Sequence, residues 1–294
     1  MSLESVGIIG IGSMGRAAAG ILHDSYEICV YDISDSARAE MGKLGYKVCG
    51  SPREVPENAG TIIMFLPGPP EVAEAVQGES GLVPGLQRGS IVVDLSTVDP
   101  ESTKRMHERV VEAGGNYLDA PILGRPDRAG KWTLPVGGDE EAVAKAMPML
   151  ELVAPRIMHV GPSGSGNVVK LLNNLMFGAI NNVTAEVLSA ANRLGVSPKV
   201  VFDTISESGA ATVSGLFKSI GPKIVEEDFT PVFRVELLHK DMDLGLKMAK
   251  SAGATLVVSE GAQKLTEMAL AKGYAGQDSS VVTRISDLIS KDAT

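Results

Sequence analysis

One short stretch, VGIIGIGSMG at residues 6–15, restricts the fold more than any other part of the chain. An apolar, strand-like run passes into three glycines spaced G-x-G-x-x-G, and the helix-forming RAAAGILHD follows. In that arrangement Gly10 permits a tight turn out of the strand, and Gly12 lets the main chain approach a pyrophosphate. Gly15 allows the helix to pack closely on the strand. The helix start offers unpaired N–H groups and a favourable dipole, so Ile11, Ser13 and Met14 are expected to border the phosphates with the glycines. Asp32 ends the next strand-like segment, 32 − 10 = 22 positions after Gly10. A carboxylate there accepts hydrogen bonds from an adenosine ribose. It also repels a 2′-phosphate, the following ISDS contains no arginine, and Arg38 is expected a turn or more into the next helix. The expected cofactor is NAD rather than NADP.

The first half of the chain alternates strands with helices. Residues 6–10, 26–32, 61–67, 90–96 and 116–121 read as strands, with 131–138 and 156–161 extending the set. Helical stretches between them imply a doubly wound, mostly parallel sheet. From 166 to about 194 the apolar positions take helical spacing, and further helical patterns occupy 197–207, 235–251 and 258–272. The chain therefore divides near the GPSGSG loop, into an α/β domain at 1–163 and an all-helical domain at 164–294.

A net charge of −9 and a pI near 5.1 exclude the basic footprint that nucleic acid or an anionic membrane requires. No run of about 20 apolar residues is present to span a bilayer. The start of the chain has no basic segment ahead of its apolar run, so a cytoplasmic protein is expected. Cys29 and Cys49 form no metal-binding spacing, and the four histidines are scattered, so no metal site is expected.

Several residues could carry chemistry. Lys170 and Asn174 in KLLNN are four apart and share a helix face, whereas Asn173 is turned away by about 100°. Lys170 is either a general acid or base oriented by the amide, or a surface lysine with its head in water. Ser96 and Thr97 in DLST, and the FLP of 65–67, lie at carboxyl ends of strands, where open parallel sheets bind ligands. Capping of the next helix by Thr97 or Asp99 would also account for part of DLST. Lys240 and Asp241 read as a solvated helix end by spacing alone. Met176, Phe177 and Trp132 read as packing residues.

GIGSMG, Asp32, FLP, DLST, DAP, GxxxKLxNN and LxxKDxxL occur here in one order. In this the chain resembles the β-hydroxyacid dehydrogenases, a family that includes 3-hydroxyisobutyrate dehydrogenase and tartronate semialdehyde reductase and is related to 6-phosphogluconate dehydrogenase. The resemblance implies a Rossmann domain and a helical substrate or oligomerisation domain joined by a long helix. It implies Lys170 as the catalytic lysine with Asn174 beside it. It places Leu66, Pro67 and Thr97 against NAD and Lys240 near the nicotinamide, while Ser96, from its place at a strand end, is expected near the substrate. A hydride would pass between NAD(H) and a small 3-hydroxy acid or its semialdehyde, and the subunits would form a homodimer or homotetramer.

One departure falls in the substrate loop. Where the family commonly has Ser-Gly-Gly, this chain has Leu123, Gly124 and Arg125 in a loop that is also shorter. Arg125 either binds a second acidic group of a small anionic substrate, or points to solvent or to Asp127, leaving Gly124 to contact the anion. The alternatives to a hydroxyacid dehydrogenase are a non-catalytic dinucleotide-binding relative and an imine-reducing enzyme on the same fold.

Overall fold

The computed structural model describes residues 4–209, 212 and 214–292. They form two compact units, with the division between Lys170 and Leu171, inside a helix rather than in the GPSGSG loop before it. The start of that helix is hydrogen-bonded to the sheet and so belongs with the first unit.

In the first unit, β1 (Ser5–Ile9) leads to α1 (Ser13–Leu22), β2 (Glu27–Tyr31), α2 (Asp35–Lys43) and the short β3 (Lys47–Val48). There follow α3 (Val55–Asn58), β4 (Thr61–Met64), α4 (Pro69–Gln77), β5 (Ile91–Asp94), α5 (Pro100–Glu112) and β6 (Asn116–Asp119). β7 (Thr133–Gly137), α6 (Glu140–Val153) and β8 (Arg156–Gly161) complete it. The eight strands lie in the order β3-β2-β1-β4-β5-β6-β7-β8, with β7 antiparallel to β6. After β3 the chain returns across the sheet to β4, so the topology switches between β1 and β4. Ligands bind at such a switch, outside the carboxyl ends of the strands.

The central strands read as nearly unbroken apolar runs because helices cover both faces. Alternation along them supplies two separate cores. Ile8, Ile63, Val93 and Leu118 face one side with Leu22, Trp132 and Leu150, while Ile9, Ile62, Val92 and Tyr117 face the other with Val55, Val72 and Val110. Pro69 and Pro70 open α4, where a missing N–H is harmless. Asp99 caps α5 by accepting from Ser102 N at 2.8 Å.

The second unit is helical. α7 (Ser165–Arg193) carries the chain into it, followed by α8 (Pro198–Glu207), α9 (Gly215–Val225), α10 (Val235–Ser251), α11 (Val257–Ala271) and α12 (Val282–Asp292). Leu188, Ile220, Ile224, Val235, Val281 and Ile285 lie in its main core. α7 and α10 approach closely because Gly178 and Gly245 leave room: a Cβ on Gly178 would stand 2.3 Å from Met242 Sδ, and one on Gly245 2.9 Å from Leu175. Phe177 packs edge-on against Phe233 as expected of a core residue, but Met176 does not fill the core. It is 61% exposed, on a surface of α7 that also shows Leu172, Val183 and Val187. No helix among the described residues is long and apolar enough to cross a membrane.

Trp132 is completely buried, its indole N–H donating to the Arg125 carbonyl at 2.8 Å and its ring packing near Phe65. Truncation should leave a cavity, and Trp132→Ala is expected to lower the unfolding free energy by about 3–5 kcal/mol, measured by urea denaturation.

Candidate active site

The glycine turn has the geometry its sequence implies. Gly10 has φ +88°, and a Cβ there would lie 2.2 Å from the Phe65 carbonyl oxygen, so β1 and β4 could not approach as they do. A Cβ on Gly15 would lie 2.0 Å from Gly10 O. Gly12 differs: no heavy atom lies within 4 Å of where its Cβ would stand, and both Gly12 and Ser13 are exposed. Close packing at two glycines thus forms the turn, and open space at the third gives a pyrophosphate access to the start of α1. Ile11 is buried, and Met14 packs partly into the core beneath.

Asp32 completes this cradle. One carboxylate oxygen accepts from Ile11 N and the other from Ser34 N, both at 2.8 Å, so the acid is fixed against the turn while remaining half-buried. Each oxygen has a second lone pair with which to accept a ribose hydroxyl. Arg38 is closer than its sequence position suggests. From the first turns of α2 it reaches back to the Asp32 carbonyl, pairs with Asp35 and lies over the Tyr31 ring at 5.5 Å.

Next along the carboxyl edge, Leu66 N donates to Ser96 Oγ at 2.9 Å, and Ser96 N donates to Asp94 Oδ1 at 2.9 Å. Ser96 is buried, so its hydroxyl holds the FLP loop to the DLST loop, while Pro67 is exposed and Thr97 half-buried. The other Asp94 oxygen accepts from the Tyr117 hydroxyl at 2.7 Å. Burial, reinforced by the Asp94 charge, holds that phenol well above its usual range.

Asp119, paired in register with Asp94, accepts from Gly164 N at 2.7 Å and Asn167 N at 3.0 Å. Burial pushes its carboxyl up to about 6, against the lowering effect of those two amides. Asn167 continues the network, accepting from Val98 N and donating to Thr103 Oγ1, both at 3.1 Å. Lys170 stands three residues further along α7, its Nζ donating to the Ile122 carbonyl at 2.8 Å. It is half-buried, with its head at the start of the β6–β7 loop rather than in bulk water. Sequence reasoning did not single out Asp94 or Asp119; the available signal was an aspartate ending each strand, in DLST and DAP.

The β6–β7 loop is clasped at its base, Leu123 and Thr133 exchanging both main-chain hydrogen bonds at 2.9 and 3.2 Å. Leu123 therefore has its N–H engaged and brings only an apolar side chain. Gly124 must be glycine, since a Cβ would come within 2.5 Å of the Trp132 ring. Arg125 is exposed at the tip, before the short turn Pro126–Arg128.

In the second unit, Asn174 is buried and donates to Asp241 Oδ2 at 2.5 Å. Asn173 reaches round despite its position on the helix and donates to Asn174 Oδ1 at 3.0 Å. Asp241 is 4% exposed, and Lys240 Nζ lies 2.8 Å from its Oδ1. This pair is therefore not the solvated helix end that spacing alone suggests. A buried carboxylate needs such compensation.

Residues 5–161 match the family model described as the NAD binding domain of 6-phosphogluconate dehydrogenase. Residues 164–286 match the model described as NAD-binding of NADP-dependent 3-hydroxyisobutyrate dehydrogenase. Mitochondrial 3-hydroxyisobutyrate dehydrogenase of Bos taurus is 31% identical over 290 residues, covering 96% of this chain and 86% of the relative. The chain belongs to the β-hydroxyacid dehydrogenase family. Another relative, 2-(hydroxymethyl)glutarate dehydrogenase of Eubacterium barkeri, is 29% identical over 95% of this chain and 94% of its own. The crystal structure of 3-hydroxyisobutyrate dehydrogenase from Salmonella typhimurium superposes with a TM-score of 0.86 at 27% identity, covering 96% of this chain and 99% of that one. As a β-hydroxyacid dehydrogenase the chain is an NAD-dependent oxidoreductase, and its chemistry is hydride transfer between NAD(H) and a small hydroxy acid.

The open space at Gly12 generates a test. Gly12→Ala should leave the unfolding midpoint unchanged but weaken NADH binding by at least about ten-fold, read by fluorescence titration, because the new methyl group occupies the path of the phosphates. Gly10→Ala should lose stability and NADH binding together, since φ +88° disfavours any side chain.

Proposed function

We propose that this enzyme interconverts a small 3-hydroxy acid and its semialdehyde, that the substrate carries a second anionic group, and that Lys170 is the general acid and base. The observation that carries the reading is the placement of the Lys170 ammonium, 2.8 Å from the Ile122 carbonyl at the carboxyl edge of the sheet. NAD(H), when bound, supplies or accepts the hydride. Lys170 donates a proton to the substrate oxygen during reduction and, as the neutral amine, takes it back during oxidation. Asn174, held by Asn173 and Asp241, serves as an orienting amide rather than a proton donor. Lys240, Ser96 and Gly124 are assigned to the surroundings of substrate and nicotinamide.

Arg125 supports the choice of substrate. It replaces an uncharged residue of the common pattern with an exposed guanidinium, which binds a carboxylate or phosphate bidentately. One relative is named for a glutarate, a dicarboxylate. The cradle of Gly10, Gly12, Gly15 and Asp32, bordered by Ile11, Ser13, Met14, Leu66, Pro67 and Thr97, is assigned to NAD. Residues 1–163 form the cofactor domain in this reading, and 164–294 the substrate and oligomerisation domain. The exposed apolar surface of α7 supports a homodimer or homotetramer. Two free, buried thiols support a reducing compartment, the cytoplasm.

Initial rates across a panel of monocarboxylate, dicarboxylate and phosphate-bearing 3-hydroxy acids and semialdehydes test the reading. Lys170→Ala should lower kcat by at least about a hundred-fold on every substrate turned over. Arg125→Ala should raise KM about ten-fold or more for doubly charged substrates and leave it unchanged for monocarboxylates. Equal effects on both classes remove Arg125 from the pocket. Asp32→Ser should shift the preference toward NADP by about ten-fold or more, because the repelling carboxylate is gone and the Arg38 guanidinium is close by.

A further inference from the structure

The GPSGSG loop and the start of α7 are built around one carboxylate. Asp119 ends β6 and receives the amides of Gly164 and Asn167, one on each oxygen. Three glycines close over it. A Cβ on Gly137 would stand 2.6 Å from Asp119 Oδ1, and one on Gly166 would stand 2.5 Å from the carbonyl oxygens of both Asp119 and Pro135. Gly164 has φ +94°, the conformation that turns its N–H toward the acid. The carboxylate thus works as a cap supplied by a different element, at the end of a helix where negative charge is favoured.

Lys170 lies three residues beyond Asn167, and Ile122 three residues beyond Asp119. The two segments are therefore joined by two rungs of matching spacing, Asp119 to the Asn167 amide and the Ile122 carbonyl to Lys170 Nζ. From these observations, and resting on the assignment of Lys170 as general acid and base, we infer that Asp119 is a positioning residue: its ionised carboxylate sets where the first turn of α7 stands, and so where the lysine ammonium is delivered.

The two rungs are not equivalent. The Lys170 rung must bend during turnover as the ammonium passes its proton to substrate, whereas the Asp119 rung does not take part in that transfer. It is nevertheless sensitive to pH. Ionised, Asp119 accepts from both amides; protonated, one of its oxygens carries a hydrogen that faces an N–H donor, and one bond is lost. Burial places that change near 6, a folded value raised above the ordinary one. As pH falls through this region the carboxyl takes up its proton in the folded protein and gives up one of its two bonds to the helix start. The groups around it are Asp94 on β5, whose charge raises it further, and Tyr117 on β6, which stays neutral. His107 on α5 faces the Tyr117 carbonyl, and α7 presents amides to the carboxylate.

The experiment uses the full chain, ¹⁵N-labelled, and follows two readouts from pH 5 to 8. The Gly164 and Asn167 amide resonances are expected to move together with a midpoint near 6 in the wild type. On the substrate found above, kcat is expected to fall below the same midpoint, and Asp119→Asn should abolish that limb, lower the plateau by about ten-fold or more, and leave the NADH dissociation constant unchanged. Amides that stay still across this range overturn the inference without any variant, so it stays testable if Asp119→Asn does not fold. A limb that persists in Asp119→Asn, with Lys170→Ala inactive, overturns it while sparing the lysine assignment. Full turnover by Lys170→Ala overturns both.

Discussion

Carboxylates at strand ends hold the functional edge of the sheet in shape. Asp32, Asp94 and Asp119 follow or end β2, β5 and β6; Asp32 and Asp119 each accept two main-chain N–H groups, and Asp94 accepts one together with the Tyr117 hydroxyl. A loop at the end of a parallel strand leaves amides that neither sheet nor helix satisfies, and burying them unpaired is costly. An ionised carboxylate with two oxygens satisfies two such donors at once, more strongly than a neutral acceptor would. The glycine turn, the Ser96 contact to Leu66 and the start of α7 all depend on this solution. It has a price in charge: Asp94 and Asp119 are buried side by side, and the Asp94 charge makes Asp119 harder to ionise.

Gly10 and Gly15 were legible because each has a separate steric reason to be glycine, local to a strand–turn–helix, whereas Gly12 stands in open space. The sheet was legible through its apolar runs, and the long helices through their spacing, with α10 falling on the expected residues. Helices with a proline pair at the start or a proline within them were not. α4 begins in a proline pair that reads as a loop, and α6 and α9 contain Pro148 and Pro222 within them. Each is held by packing that a window of sequence does not contain.

The site was partly legible for the same reason. Lys170 and Asn174 could be placed on a helix, but the burial of Asp241 comes from partners far away in the chain, such as Asn174. Arg38 was judged by its distance along α2, whereas a long side chain can turn back toward the strand it has left. Met176 shows the converse error, an apolar residue taken as core on a helix whose surface is itself partly apolar. In each case the residue type was informative and its direction was not.

The clasp between Leu123 and Thr133 separates two jobs that the chain performs within a few residues. Below it, Ile122 and β6 hold the Lys170 side chain; above it, the tip from Gly124 to Lys131 is held by the Trp132 indole on the Arg125 carbonyl and by Gly130 N on the Val153 carbonyl. A tip of this kind can be lengthened, shortened or recharged while the scaffold under it stays as it is. Residues of the tip can therefore be exchanged without disturbing the base of the loop, and the same clasp makes that segment a natural unit to transplant between related enzymes.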